Sequence, residues 1–315
     1  MVNLVINENM KIYRRWRTWI MVVLLIASVF LGCFVDWYYG ARTAQEGAWR
    51  GDLEQQKQHL EMMLQESSQD TNRSLNVLEE QLLLAEYRLE HNIRPEYNTM
   101  WGGMNGAATL VMLITLFTVI VAGDSLAGEF STGTIKLLLI RPSSRTKILI
   151  SKYISLILFG LLLLLILFVS SFAFTGLLYQ FQHWNLPLLS INDAGQVVEH
   201  SMVTNLWKTY FLNSVSTIMF VTMAFMISAA FRSSAMAIGF SIFALFAGMT
   251  FTQLVRTYAW SKYIMFANID LTQYMNGYPF REEMTLGFSI TVLLGYFIVF
   301  HLVAWLAFTR RDVAA

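Results

Sequence analysis

Charge is scarce in this chain. Only 14% of its 315 residues are charged and 56% are hydrophobic, whereas about a quarter of the residues in a typical soluble domain are charged. The mean hydropathy of +0.49 agrees with this shortage. The composition therefore predicts a membrane protein. The net charge of +1 argues against nucleic acid as a partner, because such partners require a strongly basic face.

Cysteine and catalytic motifs are also scarce. The single cysteine, Cys33, excludes an intrachain disulfide and is expected to pack as a small apolar residue. The sequence has no glycine-rich phosphate loop, no metal-spaced group of His and Cys, and no nucleophile motif with its partners. We therefore expect a chain that is not an enzyme, with no catalytic residue, no bound metal and no cofactor of its own.

Long apolar runs are present instead. A helix needs roughly 18 or more uncharged residues to cross the hydrocarbon core, and six runs meet that condition. The predicted spans are residues 18–39, 104–123, 149–178, 207–231, 234–255 and 286–309. Arg232 separates the fourth and fifth spans, and the serines after it suit a tight turn. The sequence thus predicts an all-α polytopic membrane protein with six transmembrane helices.

The distribution of charge predicts the orientation, because Lys and Arg are retained on the cytoplasmic side. One side of the predicted topology carries twelve basic and four acidic residues, a net charge of +8, and the other carries ten basic and seventeen acidic residues, a net charge of −7. We therefore expect both termini to be cytoplasmic, with residues 1–17 forming an amphipathic helix and residues 310–315 a short tail. The four acids on the basic side are Glu8, Asp124, Glu129 and Asp312.

Residues 40–100 are predicted to form an extracellular helical hairpin. Leucines and one alanine recur at spacings of three and four in its second half, as in the seam of a coiled coil, and a polar stretch from Glu66 to Asn72 suits the reversal. This hairpin is either a stalk that packs on itself or a contact for a partner or substrate. The remaining outer segments are residues 179–206, predicted as a loop, and residues 256–285, predicted as a loop with a short interfacial helix.

The link between the second and third spans, residues 124–148, carries the most specific pattern. Gly133 is expected to break the helix of the second span, Thr134 to cap a short helix, and Pro142 to end it. Ser143 or Ser144 can then cap the third span. The expected result is a short amphipathic helix lying across the cytoplasmic end of the spans, with Glu129 paired to Arg141, to Arg145 or to a basic residue of a partner.

This pattern resembles the permease subunits of ABC transporters of the ABC-2 type, in which Glu, then Gly-Thr, then a Leu-rich stretch and Pro-x-x-Arg follow the second span. The matching residues here are Glu129, Gly133, Thr134, Leu137 to Leu139, Pro142 and Arg145. The resemblance implies an ABC-2 fold of the type V exporter kind, apart from the large outer insertion. It also implies that the link is a coupling helix docking on a separate ATPase, and that residues 1–17 form the connecting helix.

The resemblance further implies the partners. Two copies of an ATP-binding subunit would hold ATP and Mg²⁺, and a second permease, identical or related, would complete the transporter in the bacterial cell membrane. The apolar spans favour export of an amphipathic cargo such as a peptide antibiotic or a lipid-like molecule. The sequence does not identify the residues that bind it.

Two other functions stay open from the sequence. The chain could be a membrane sensor or scaffold whose outer hairpin binds a peptide or an envelope ligand. It could also be a proton-coupled carrier that uses His301, because an ionisable residue inside a span is a candidate for proton transfer.

Overall fold

The computed structural model of the chain describes residues 1–43, 48–66, 72–135, 143–192, 195–275 and 277–310. This part of the chain is mostly helical. Its helices and strands are α1 (Val2–Tyr13), α2 (Trp16–Thr43), α3 (Ala48–Glu66), α4 (Asn72–His91), α5 (Met100–Ala108), α6 (Val111–Ser131), α7 (Arg145–Leu178), β1 (Pro187–Ile191), β2 (Val197–Ser201), α8 (Met202–Ala230), α9 (Ser234–Leu254), α10 (Met265–Asn268) and α11 (Leu286–Thr309). Short 3₁₀ turns at Ala259–Tyr263 and Leu271–Tyr274 flank α10.

Six helical segments in the described part of the chain are long and apolar enough to cross a membrane. They are α2, α5 together with α6, α7, α8, α9 and α11. The protein is therefore a multi-pass membrane protein, as the sequence predicted.

The helices of the second and third spans extend beyond their predicted limits. The second runs from Met100 to Ser131 rather than from 104 to 123, and the third begins at Arg145 rather than at 149. At that start, Ser144 accepts a hydrogen bond through its Oγ from the backbone N–H of Lys147, at 3.4 Å, as an N-cap residue does. Two acidic residues that the sequence assigned to the loop, Asp124 and Glu129, therefore lie within a helix.

Packing divides the chain into two compact units. The first comprises Met1–Ile26, Leu110–Leu167 and Thr209–Ala315, and the second comprises Ala27–Thr109 and Phe168–Lys208.

Close approach of α6 and α9 organises the first unit. A Cβ placed on Gly123 would lie 3.1 Å from the backbone of Ile238, so the absent side chain allows the two helices to approach. On its other flank, the Oγ of Ser228 in α8 accepts hydrogen bonds from the backbone N–H groups of Leu126 and Ala127, both at 3.0 Å. The end of α6 that carries the acidic residues is thereby fixed between two neighbouring helices.

The second unit contains the outer hairpin. Arg50 contacts Asn92, and the Nζ of Lys57 lies 2.9 Å from the Oε1 of Glu86, so α3 and α4 run antiparallel. Leu53, Leu60 and Ala85 are the buried apolar residues of this pair. The predicted reversal at residues 67–71 lies outside the described residues.

A β-hairpin lies where the sequence predicted only a loop. Strands β1 and β2 pair antiparallel, with Pro187 opposite Ser201 and Ile191 opposite Val197. The Tyr87 hydroxyl donates to Glu199 at 3.3 Å, which joins α4 to β2. The fold is thus not purely helical. Strands of five residues on the surface of a helical unit are too short for their apolar alternation to stand out in the sequence.

Substitution of two glycines tests the packing of the second unit. A Cβ on Gly102 would lie 2.3 Å from the backbone carbonyl of Glu96, whereas a Cβ on Gly32 meets no atom within 4 Å. We expect Gly102→Ala to destabilise the protein by about 1–3 kcal/mol, because backbone atoms must move to relieve the contact. Gly32→Ala should be neutral or slightly stabilising, since alanine favours a helix over glycine. Thermal unfolding in detergent measures both, and an equal midpoint for the two variants would contradict this packing.

Candidate functional site

A tight corner joins the N-terminal helix α1 to the first span. The hydroxyl of Thr18 donates to the carbonyl of Ile12 at 2.6 Å, and the indole N–H of Trp19 donates to the carbonyl of Tyr13 at 2.9 Å. Ser155 of the third span donates to the carbonyl of Val5 at 3.2 Å. These bonds fix α1 against α7, so the polar face of α1 points at a defined set of partners.

Four charged side chains form a closed ring at that face. The ammonium of Lys11 donates to Glu8 at 2.8 Å and to Glu129 at 3.0 Å. The ammonium of Lys152 donates to the other oxygen of Glu8 at 2.8 Å and to Glu129 at 2.6 Å. The Lys152 side chain is only 3% exposed, and those of Glu8 and Glu129 are 13% and 12% exposed. Two cations thus alternate with two carboxylates, and the ring is neutral as a whole.

The ring changes the pKa values of the two residues contributed by α1. Burial alone would raise the pKa of Glu8, but the charges of Lys152 and Lys11 and their hydrogen bonds outweigh it, so the pKa lies below the ordinary 4.5. Burial alone would lower the pKa of Lys11, but hydrogen bonds and charges from Glu8 and Glu129 raise it above the ordinary 10.5. Both side chains are therefore charged at neutral pH.

A second charge group surrounds Asp124, one turn before Glu129 in α6. Its Oδ2 accepts from Arg15 and from Arg17, and its Oδ1 accepts from the hydroxyl of Ser234 at the start of α9. A Cβ on Gly128 would lie 2.6 Å from Oδ1, so that glycine leaves room for the carboxylate. Two guanidinium groups face one carboxylate here, and the group carries one net positive charge.

Both charge groups border one cavity of about 910 Å³. Its lining residues are Lys11, Arg15, Trp16, Arg17, Asp124, Gly128, Glu129, Ser131, Thr132, Thr134 and Ser234. All of them belong to the first unit. They come from the end of α1, the start of α2, the end of α6 and the start of α9, on the side that the sequence predicts to be cytoplasmic.

The structure brings only some of the predicted site residues together. Glu129 and Thr134 border the cavity, and Gly133 has a φ of +73°, a conformation in which a glycine ends the helix. Arg145, at the start of α7, donates to the carbonyl of Thr309 at 2.9 Å. Pro142 and residues 136–140 of the predicted short helix lie outside the described residues.

Glu129 has two ion-pair partners that the sequence did not indicate. The sequence offered Arg141 or Arg145 in the link, or a basic residue of a partner, whereas among the described residues the carboxylate pairs with Lys11 and Lys152. The reason is the length of α6. Because the helix continues past residue 123, Glu129 is carried into the packed interface with α1 and α7 rather than into an exposed loop. Arg141 lies outside the described residues.

Sequence reasoning missed most of this site. It counted four of these residues only toward the charge of the cytoplasmic side, namely Glu8, Lys11, Asp124 and Lys152. The signal was nevertheless present, because that side has twelve basic residues and only four acids. The three of these acids that lie in the described part of the chain all form ion pairs, and their side chains are 10–13% exposed.

His301, the candidate for proton transfer, lies in an aromatic setting. Its Nδ1 is 2.9 Å from the carbonyl of Phe297, and its ring packs against the rings of Tyr153 and Phe297. Within the described residues, no carboxylate forms an ion pair with it. These contacts give His301 no acidic group with which to exchange a proton. Its role in a proton-coupled carrier therefore stays a prediction.

Comparisons with known proteins find a matching family and two relatives, and none of their names states an activity. Residues 78–314 match a family described as "Protein of unknown function (DUF2705)". The chain is 42% identical over 320 residues to "Uncharacterized protein YhcI" of Bacillus subtilis (strain 168), and the match covers both chains completely. It is 29% identical over 217 residues to "Uncharacterized membrane protein YdbK" of the same organism, which covers 67% of this chain and 82% of the relative.

The closed ring predicts a characteristic coupling between substitutions. Lys152→Met leaves two carboxylates facing one ammonium, and we expect a loss of about 3–5 kcal/mol because one largely buried negative charge is then uncompensated. Glu129→Gln leaves the opposite excess and should also destabilise. The double variant leaves the pair of Glu8 and Lys11, which is neutral, so its loss should be smaller than the sum by about 1–3 kcal/mol. Thermal or denaturant unfolding of the purified protein measures this cycle, and strictly additive losses would mean that the ring is not one unit.

The pKa of Glu8 predicts how stability depends on pH. Because its folded pKa lies below 4.5, Glu8 contributes stability in full above pH 4.5 and loses it as the pH falls through the folded value. The difference in unfolding midpoint between the wild type and Glu8→Gln should therefore be constant near neutral pH and shrink below pH 4.5. Glu282→Gln, which removes an exposed carboxylate elsewhere, serves as the control and should keep the pH profile of the wild type.

Proposed function

The chain belongs to the DUF2705 family, and we propose that it is the membrane-spanning permease subunit of an ABC transporter. In this proposal it is an exporter subunit of the ABC-2 kind, with both termini in the cytoplasm of a bacterial cell. It holds no nucleotide itself. Two copies of a separate ATP-binding subunit bind ATP and Mg²⁺, and a second permease, identical or related, completes the assembly.

The ring of Glu8, Lys11, Glu129 and Lys152 is the observation that carries the proposal. It ties the N-terminal helix, the end of the second span and the start of the third span to one another. Such an arrangement suits a subunit that receives force from a soluble partner, because a push on the intervening link is passed to the spans rather than absorbed by bending.

The ends of the link support the same interpretation. On one end, α6 ends at Ser131, and Gly133 follows with a positive φ. The side chain of Ile135, two residues further on, is buried. On the other end, Arg145 bonds to the carbonyl of Thr309, and the indole of Trp305 in α11 donates to Thr146 at 3.2 Å. Each end is thus anchored to helices that cross the membrane. A partner that displaces the link would move the second, third and sixth spans together.

The composition of the spans indicates the class of cargo. Apolar spans with few polar groups favour an amphipathic substrate such as a peptide antibiotic or a lipid-like molecule. The proposal assigns the hairpin of α3 and α4 to the outside of the cell, where its polar surface would meet a released or captured molecule first.

A pull-down with a co-encoded ATP-binding subunit tests the proposal. The wild-type protein should retain the ATPase, and Gly133→Ala should weaken that retention about tenfold, because a left-handed residue with a Cβ costs about 1–2 kcal/mol and shifts the end of α6. Gly195→Ala is the matched control. That glycine has the same φ of +73° and the same open surroundings, but it lies in the second unit.

The outcomes separate the candidate functions. Retention that is lost with Gly133→Ala and kept with Gly195→Ala supports the permease. Equal retention by the wild type and both variants, or no retention at all, contradicts it. In reconstituted vesicles, cargo should stimulate ATP hydrolysis by the assembled complex. A hairpin that binds a peptide without such stimulation would favour the sensor, and transport that depends on a pH gradient and on His301 would favour the carrier.

A further inference from the structure

We propose that the cavity beside Asp124 binds the phosphate group of an anionic ligand, and that a phospholipid of the adjoining leaflet supplies it. This inference does not depend on the role in transport. It starts from the size and chemistry of the cavity, whose volume of about 910 Å³ lies in the range of sites that hold a small molecule or a headgroup.

The cavity has a surplus of cationic donors. Among the described residues, three basic side chains line it, those of Lys11, Arg15 and Arg17, against the carboxylates of Asp124 and Glu129. Each carboxylate is already contacted by two cations, since Glu129 also pairs with Lys152. The acidic residues are therefore neutralised from within the cluster, and the net positive charge that remains lies on the two arginines.

The arginines also have donors that their contacts leave unused. Each guanidinium has five N–H donors. Among the described residues, Arg15 uses its Nη1 for Asp124, and its side chain is still 46% exposed. Arg17 uses its Nη2 for the same carboxylate, and its buried Nε has no acceptor in the described part of the chain. A phosphate oxygen would satisfy such donors, because guanidinium binds phosphate with two parallel hydrogen bonds.

The position of the cavity favours a lipid as the source of the phosphate. Trp16 lines the cavity, is 79% exposed, and is the first residue of the first span. Exposed tryptophan beside arginine at the start of a span is typical of the level at which lipid headgroups lie. Trp19, one turn further on, is 54% exposed and marks the same level. Among anions from outside the protein, a headgroup phosphate is therefore the most abundant at the level of Arg15 and Arg17.

Binding of defined lipids to the purified full-length protein in detergent tests the inference. Native mass spectrometry with phosphatidylglycerol and with phosphatidylcholine should show one phosphatidylglycerol bound about tenfold more tightly, because its headgroup keeps the net negative charge that phosphatidylcholine cancels. A parallel thermal-unfolding series uses inorganic phosphate against chloride at equal ionic strength, so that a soluble source of the same group is distinguished from a lipid.

Two neighbouring arginines provide a matched pair of variants. Arg15→Gln removes a charge that lines the cavity, while Arg17 keeps Asp124 paired. Arg14→Gln removes the same charge from the adjacent position, which is exposed and outside the cavity. We expect Arg15→Gln to abolish the preference for phosphatidylglycerol and Arg14→Gln to keep it.

Each result decides the inference. A preference lost with Arg15→Gln and kept with Arg14→Gln supports a phosphate site filled by lipid. Stabilisation of the wild type by inorganic phosphate without a lipid preference supports the same site with a soluble source. Equal weakening by both variants would reduce the effect to general surface charge and overturn the inference. The inference would also be overturned if the wild type neither preferred phosphatidylglycerol nor responded to phosphate. That measurement uses the wild type alone and does not depend on the folding of a variant.

Discussion

The burial of Lys152 is the constraint on which the N-terminal side of the first unit depends. An ammonium group that is 3% exposed inside an apolar helix is unfavourable unless carboxylates surround it. Glu8 and Glu129 supply them, and they come from opposite directions along the chain. The N-terminal helix must therefore lie against the third span, and the helix of the second span must continue far enough to deliver Glu129. The position of α1 and the length of α6 are thus the two conditions that this one buried charge requires.

The two charge groups near the cavity have different chemical character. The ring around Lys152 is closed and neutral, with each of its four charged groups paired to two opposite charges, which suits a rigid joint. The group around Asp124 is open and cationic, with one buried donor at Arg17 that has no acceptor in the described part of the chain. Rigidity and ligand binding are thus assigned to neighbouring residues. In our interpretation, the joint passes force between the link and the spans, while the open group responds to the membrane.

Helix length is the main point on which sequence and structure differ. Hydropathy places the end of a span where the first charge appears, which is Asp124 in the second span. A charged residue ends the apolar run but does not end the helix, because the backbone hydrogen bonds of the helix do not depend on side-chain polarity. Only Gly133, with its positive φ, ends α6 at Ser131. The acidic residues predicted for a loop thereby became part of a packed interface.

The sequence by itself determined that this is a multi-pass membrane protein, because six long uncharged runs satisfy their backbone groups only as spanning helices. It also indicated that the segment between the second and third spans, which contains Glu129 and Gly133, carries the most specific pattern in the chain. The tertiary structure alone decided which charges meet. Glu8 and Lys152 are separated by more than a hundred residues, and nothing local in either segment specifies the other. Their pairing follows from the packing of α1 on α7, and so does the cavity that the pairing leaves beside Asp124. Long-range electrostatic partners depend on the fold, whereas apolar periodicity is a property of each segment.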